Sequence, residues 1–158
     1  MPAFQSILTW WIRIQMNFNV GDILYFDQYQ FTDTGELKPH FGLVLLPERA
    51  TEYQNSVLCS VITSKEPRIW GLLLEQTSYP CFRCDSYACL DRKDLVSKSG
   101  LSNKEQPVGS LTKGDLVKAF KILRKSLFVI SDLGKSPYFR AAIIYQWKVA
   151  LGMTSGLY

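Results

Sequence analysis

Four cysteines, a single histidine and a one-sided run of basic residues are the side chains of this 158-residue chain whose types and spacing invite chemistry. Cys81-Phe-Arg-Cys84 has the spacing of half a zinc site. A full site needs a second closely spaced pair, and only Cys59, Cys89 and His40 remain to supply it, so no metal or other cofactor is expected. A thioredoxin-like redox motif would sit in a βαβ pattern, and none surrounds these cysteines. No export signal is visible, so they are expected to be reduced, in a cytosol. Between Arg92 and Lys125, nine Lys or Arg stand against three acids, while the whole chain carries only +4. Such a region suits a phosphate-bearing ligand or an acidic protein segment, and equally a solvated loop and helix face. Thr63-Ser64 at a strand end can satisfy local backbone groups. Asp91-Arg92 reads as a surface ion pair. Tyr25, Tyr29 and Phe31 offer rings that stack on bases, although alternating aromatics in a strand are first of all core.

The elements that must position these residues are short. At 47% hydrophobic and 20% charged, the chain has enough apolar surface for one core, which excludes a wholly disordered protein. No apolar run approaches the roughly 20 residues of a membrane span, so no membrane partner is expected. Residues 1–17 form an aromatic-rich lead-in (Phe4, Trp10, Trp11) compatible with a helix or an extra edge strand. Gly21-Asp22 opens a strand over Ile23–Phe26 that ends near Asp27, and residues 31–36 read as a turn. Phe41–Leu46, stopped by Pro47, is apolar on both faces and so central. Further strands are expected over Ser56–Thr63, Ile69–Leu74, Tyr79–Cys84 and Tyr87–Leu90, a spacing that suggests a small barrel or sandwich. After Gly109 the period becomes helical. Thr112 is the N-cap with Asp115 three residues on, Leu116, Phe120, Leu123 and Leu127 form one face, and Lys118, Lys121 and Lys125 form the other. Ser136-Pro137 starts a second helix that ends at Gly152 and carries an Ile143, Trp147, Leu151 stripe.

The string from Asn19 to Pro47, NVGDILYFDQYQFTDTGELKPHFGLVLLP, resembles the opening of PemK/MazF-type toxins of bacterial toxin-antitoxin systems. VLCSVITS (57–64), SYACLDRKDLV (86–96) and VGSLTKGDLVKAFKILRKSL (108–127) resemble later pieces of that family, in the correct order. The resemblance implies a mainly β, α+β fold with C-terminal helices, built on a small SH3-like β-barrel of PemK/MazF (CcdB-like) type. The barrel would span residues 18–128, flanked by an N-terminal extension (1–17) and a C-terminal helical extension (129–158). It also implies a homodimer that cleaves single-stranded RNA without a metal, in a sequence-selective manner, and is neutralised by a cognate antitoxin.

Cleavage by the RNA's own 2′-OH needs a group to take that proton, a donor for the 5′-oxygen, and charge or hydrogen bonds around the phosphorane. By resemblance the catalytic positions fall on His40, Thr63 and Asp91, and the RNA-binding ones on Lys38, Ser64, Arg92 and Tyr29. Two departures stand out. The family's arginine is His40 here, followed by Phe41 instead of proline, and Cys89 replaces an arginine that some members place two residues before the aspartate. Arginine is always charged, whereas histidine titrates near neutrality, so the mechanism is shifted or the activity weakened. Lys38 is placed to supply the charge an arginine would have given. A second reading is a non-catalytic or degenerate relative that binds protein, gyrase for example, or nucleic acid.

Overall fold

A computed structural model describes residues 18–66, 69–103, 106–129 and 137–153. The N-terminal lead-in and Ser136 lie outside the described residues, as does the side chain of Leu127. Seven strands form one curled antiparallel sheet: β1 Asp22–Gln30, β2 Leu37–Leu46, β3 Ser56–Thr63, β4 Gly71–Leu74, β5 Ser86–Cys89, β6 Asp94–Ser97 and β7 Gly109–Ser110. Their order is β4-β5-β3-β2-β1-β7, with β6 pairing β3 beside β5. β2 therefore lies between β1 and β3, which explains why Leu43 to Leu46 are apolar on both faces and fully buried. A short helix α1 (Glu48–Thr51) follows β2, and α2 (Lys113–Val129) and α3 (Pro137–Ala150) complete the chain. Among the described residues no helix is long and apolar enough to cross a membrane.

The sheet separates two apolar clusters. One holds Ile23, Leu43, Leu45, Leu58 and Ile62 under Phe120 and Leu123 of α2 and Phe139, Ile143 and Trp147 of α3. Trp147 is fully buried and its indole N–H donates to the Leu45 carbonyl at 3.1 Å, so the second helix packs on its own sheet. The other cluster fills the inside of the curl with Phe18, Leu24, Phe26, Tyr29, Val44, Cys59, Val61 and Cys89.

The Gly-Asp opening has a structural cause. Gly21 adopts φ +87°, and a Cβ there would stand 2.6 Å from the Leu116 side chain of α2. The buried Asp22 carboxylate then accepts from the Asn19 N–H and the Ser110 hydroxyl, both at 2.8 Å, tying the chain entry to β7.

Most expected elements are present, with three differences. β1 and β2 run on to Gln30 and back to Leu37, so the 31–36 turn joins a longer hairpin. Tyr79–Cys84 is not a strand. The Tyr79 hydroxyl instead accepts from the Thr112 N–H at 3.1 Å and donates to Asp115, which anchors that loop at the start of α2. Two short strands, β6 and β7, were not expected. Thr112 does cap α2, its hydroxyl oxygen accepting from the Asp115 N–H at 3.2 Å, and Lys118, Lys121 and Lys125 are exposed. Gly152, at φ +72°, closes α3 with Met153 N–H bonded to the Lys148 carbonyl.

Candidate functional site

The solvent-exposed start of β2 carries Lys38 and His40 before the strand dives into the core. Pairing of Phe41 with Ile62 brings Thr63, the last residue of β3, alongside His40. A groove of about 780 Å³ opens at this rim. His40, Phe41, Ile62, Thr63 and Ser64 form one side, and the loop Cys81, Phe82, Arg83, Cys84 forms the other. Its floor is aromatic: Phe41 meets Phe82 edge-on at 4.9 Å and Tyr25 at the same distance, with Tyr25 half-buried.

On the other side of His40 lies a smaller hollow of about 250 Å³, lined by Phe31, Asp33, Thr34, Glu36, Lys38, His40 and Arg92. Its two cations are already paired, Lys38 with Glu36 at 3.1 Å and Arg92 with Asp33 at 3.0 Å. Both pairs are exposed, so they exchange for a phosphate at little cost. The Arg92 guanidinium also covers the Phe31 ring at 5.3 Å. Arg83 in the larger groove has no carboxylate partner among the described residues, so the uncompensated positive charge of that groove is its guanidinium.

His40 is half-buried, its ring meeting Phe31 edge-on at 5.4 Å. Burial lowers its pKa below the ordinary imidazole value; the Ile62 carbonyl, an acceptor for the protonated ring, opposes this, and nearby Lys38 adds to it. The net shift is downward, so at neutral pH His40 is uncharged and able to accept a proton. Thr63 Oγ1 accepts from the Lys65 N–H at 3.2 Å, which satisfies a local turn and leaves the hydroxyl proton to donate. Ser64 is exposed beside it.

The sequence-expected residues therefore divide. His40, Thr63 and Ser64 meet at the groove, and His40, Lys38 and Arg92 meet at the smaller hollow. Asp91 lines neither: it lies in the turn after β5, half-buried, and the expected ion pair with Arg92 gives way to Asp33. Tyr29 is a correction. It is fully buried, its hydroxyl donating to Asp94, and has no exposed face on which a base could stack. The cause is a bulge: the β1–β2 register slips between Phe26 and Tyr29, turning Tyr29 onto the inner face with Phe26 and leaving Tyr25 at the groove. Arg83 carries no signal of its own in the sequence, where the CxxC around it points to metal or redox chemistry. Among the described residues no group of three or more His, Cys, Asp or Glu is placed to hold a metal ion; Cys59 and Cys89 are buried in the inner cluster, whereas Cys81 and Cys84 line the groove.

No protein-family model matches the sequence, and no curated protein is significantly similar to it. Solved structures are. The chain superposes on the Mycobacterium tuberculosis toxin MazF-mt6 with a TM-score of 0.52 at 14% identity, over 70% of this chain and 98% of the toxin. It also superposes on an endoribonuclease in complex with its cognate antitoxin from a mycobacterial species, with a TM-score of 0.50 at 15% identity, over 72% of this chain and 97% of that one. A curled antiparallel half-barrel followed by helices, nearly the whole of each neighbour being matched, is the MazF-like fold.

Proposed function

We propose that this protein is an endoribonuclease of the toxin-antitoxin kind, cutting single-stranded RNA by attack of the RNA's own 2′-OH. The observation that carries the reading is the meeting of an uncharged His40 with Thr63 and Ser64 at the rim of a groove that also holds Arg83. His40 takes the 2′-OH proton as the 2′-oxygen bonds to phosphorus. Thr63 and Arg83 donate to the oxygens on which charge develops, and the P–O5′ bond breaks to leave a 2′,3′-cyclic phosphate and a 5′-hydroxyl. Ser64 gives a proton to the leaving oxygen, while Asp91, which lines neither hollow, is given no step. Among the described residues no carboxylate, the ligand type that magnesium-dependent nucleases rely on, lines the larger groove, and Asp33 and Glu36 of the smaller hollow are each paired with a cation, which supports a metal-independent reaction. Tyr25 and Phe41 offer ring faces for neighbouring bases.

The likeness to an endoribonuclease bound to its antitoxin supports an antitoxin protein as partner, and the exposed cations of α2 suit an acidic segment of it. Exposed Tyr145 and Val149 on α3 and Ile69 before β4 support pairing with a second copy, which sedimentation at micromolar concentration measures.

The deciding experiment is cleavage of a defined RNA by purified protein in EDTA, with the product ends identified. Cyclic phosphate and 5′-hydroxyl ends are expected. Ends carrying a 5′-phosphate, or a requirement for Mg²⁺, overturn the mechanism. Binding of RNA without cleavage favours the non-catalytic reading.

A further inference from the structure

The four cysteines fall into two classes of access. Cys59 and Cys89 are buried in the inner cluster, where loss of hydration pushes the Cys89 thiol up to about 11 and Cys59 further still. Neither forms appreciable thiolate near neutrality. Cys81 and Cys84 instead line one and the same groove, on a single tightly turned loop. The Phe82 N–H donates to the Tyr79 carbonyl at 3.1 Å, turning the chain at Pro80-Cys81, and the backbone goes on bending through residues 82–84. The Ser86 hydroxyl holds the far end by donating to the Cys84 carbonyl at 3.1 Å. Cys84 is exposed, whereas Cys81 is half-buried with its sulfur against β7, 3.6 Å from where a Cβ on Gly109 would stand.

We infer that Cys81 and Cys84 are a thiol-disulfide pair, Cys84 being the thiol that meets a small-molecule disulfide and Cys81 the one that resolves the product. The Cys84 thiol loses its proton and attacks one sulfur of the oxidant RS–SR. A protein–S–SR bond forms and RS⁻ leaves. The Cys81 thiol then loses its proton and attacks the Cys84 sulfur, expelling the second RS⁻. The balance is two protein thiols oxidised to one disulfide and one RS–SR reduced to two RSH. Cys84 goes first because it is open to solvent; Cys81, whose partial burial raises its thiol pKa, follows from three residues away on the same turned loop. The link closes around Arg83, an exposed residue of the groove lining.

The test treats the reduced, full-length protein with Ellman's reagent, an aromatic disulfide, and follows released aryl thiolate and intact mass. Release of two thiolates per chain, a mass lower by two hydrogens with no aryl group retained, and a peptide map joining Cys81 to Cys84 are expected. Cys81→Ser should release one thiolate and keep the aryl group on Cys84, and Cys84→Ser should lose the fast reaction. Retention of two aryl groups by the parent protein overturns the pairing, as does a link between separate chains. Cys84→Ser reacting as fast as the parent overturns the order of attack. These readouts need no RNA, so their failure and that of the nuclease reading are separable.

Discussion

The hydroxyl of Tyr29 donates to the Asp94 carboxylate at 2.7 Å with both residues buried, and this bond places the turn that borders His40. The other carboxylate oxygen of Asp94 accepts from the Thr32 N–H at 2.9 Å, and Thr32 Oγ1 accepts from the Leu95 N–H at 3.1 Å. β6 thereby holds the 31–36 turn, which brings Asp33 to Arg92 and Phe31 to His40. Tyr29→Phe removes one donor from a buried carboxylate and should cost about 1–3 kcal/mol of stability. Urea unfolding measures this loss. RNA cleavage well below the midpoint should be nearly unchanged, since phenylalanine keeps the ring that packs edge-on against His40 and the Thr32 bonds to Asp94 and Leu95 still hold the turn.

His40 makes the sharpest claim about pH. Its folded-state pKa lies below the unperturbed imidazole value of about 6.5, chiefly because it is half-buried. If the neutral ring is the base, cleavage is full at neutrality and falls as pH drops through that lowered pKa. The linked stability follows the same direction: below about 6.5 the unfolded chain binds the proton first, so stability declines on acidification until the folded ring also titrates. His40→Ala should slow cleavage roughly 10²-fold or more with folding intact. His40→Arg keeping activity without a pH break would assign the position to charge alone.

Arg83 and Arg92 should behave differently in RNA binding. Arg83 has no carboxylate to leave, so Arg83→Ala should weaken binding and flatten its dependence on log salt by about 0.7 for a single strand. Arg92 must first part from Asp33, and Arg92→Ala should change the slope less. Fluorescence anisotropy at several salt concentrations reads both.

Trp147 tests whether α3 belongs to the same cooperative unit as the sheet. Trp147→Ala should cost about 3–5 kcal/mol, the usual scale for a buried aromatic. Trp147→Phe keeps most of the volume, leaves the Leu45 carbonyl without its donor, and should cost about 1–2 kcal/mol. A single unfolding transition that shifts as a whole is expected. A separate early transition confined to α3 would contradict the shared core.

Local pattern carried the parts of the fold that local physics decides. β3 spans the residues its apolar run marks, Thr112 caps α2 because a hydroxyl there serves an unpaired N–H, and Pro137 begins α3. What failed depends on distant partners. Tyr79 to Cys84 has strand-like residues, yet its fate is set by Thr112 and Asp115, more than thirty positions away. β7 is two residues long and exists only as a partner for β1. That His40, Thr63 and Ser64 meet at one groove was legible through the family resemblance. Which aromatics of β1 stay at the surface was not, because a bulge of one residue reverses the face of every side chain beyond it and buries Tyr29.

His40 stands on a crest between two hollows, both open to solvent. On the proposed reading, that position makes the ligand a span, not an end. A dinucleotide fills one hollow and leaves the other to water, whereas a longer strand draped over the crest is gripped on both sides of the bond to be broken. Cutting on that reading is internal, and affinity should climb with each nucleotide added on either flank until both hollows are full.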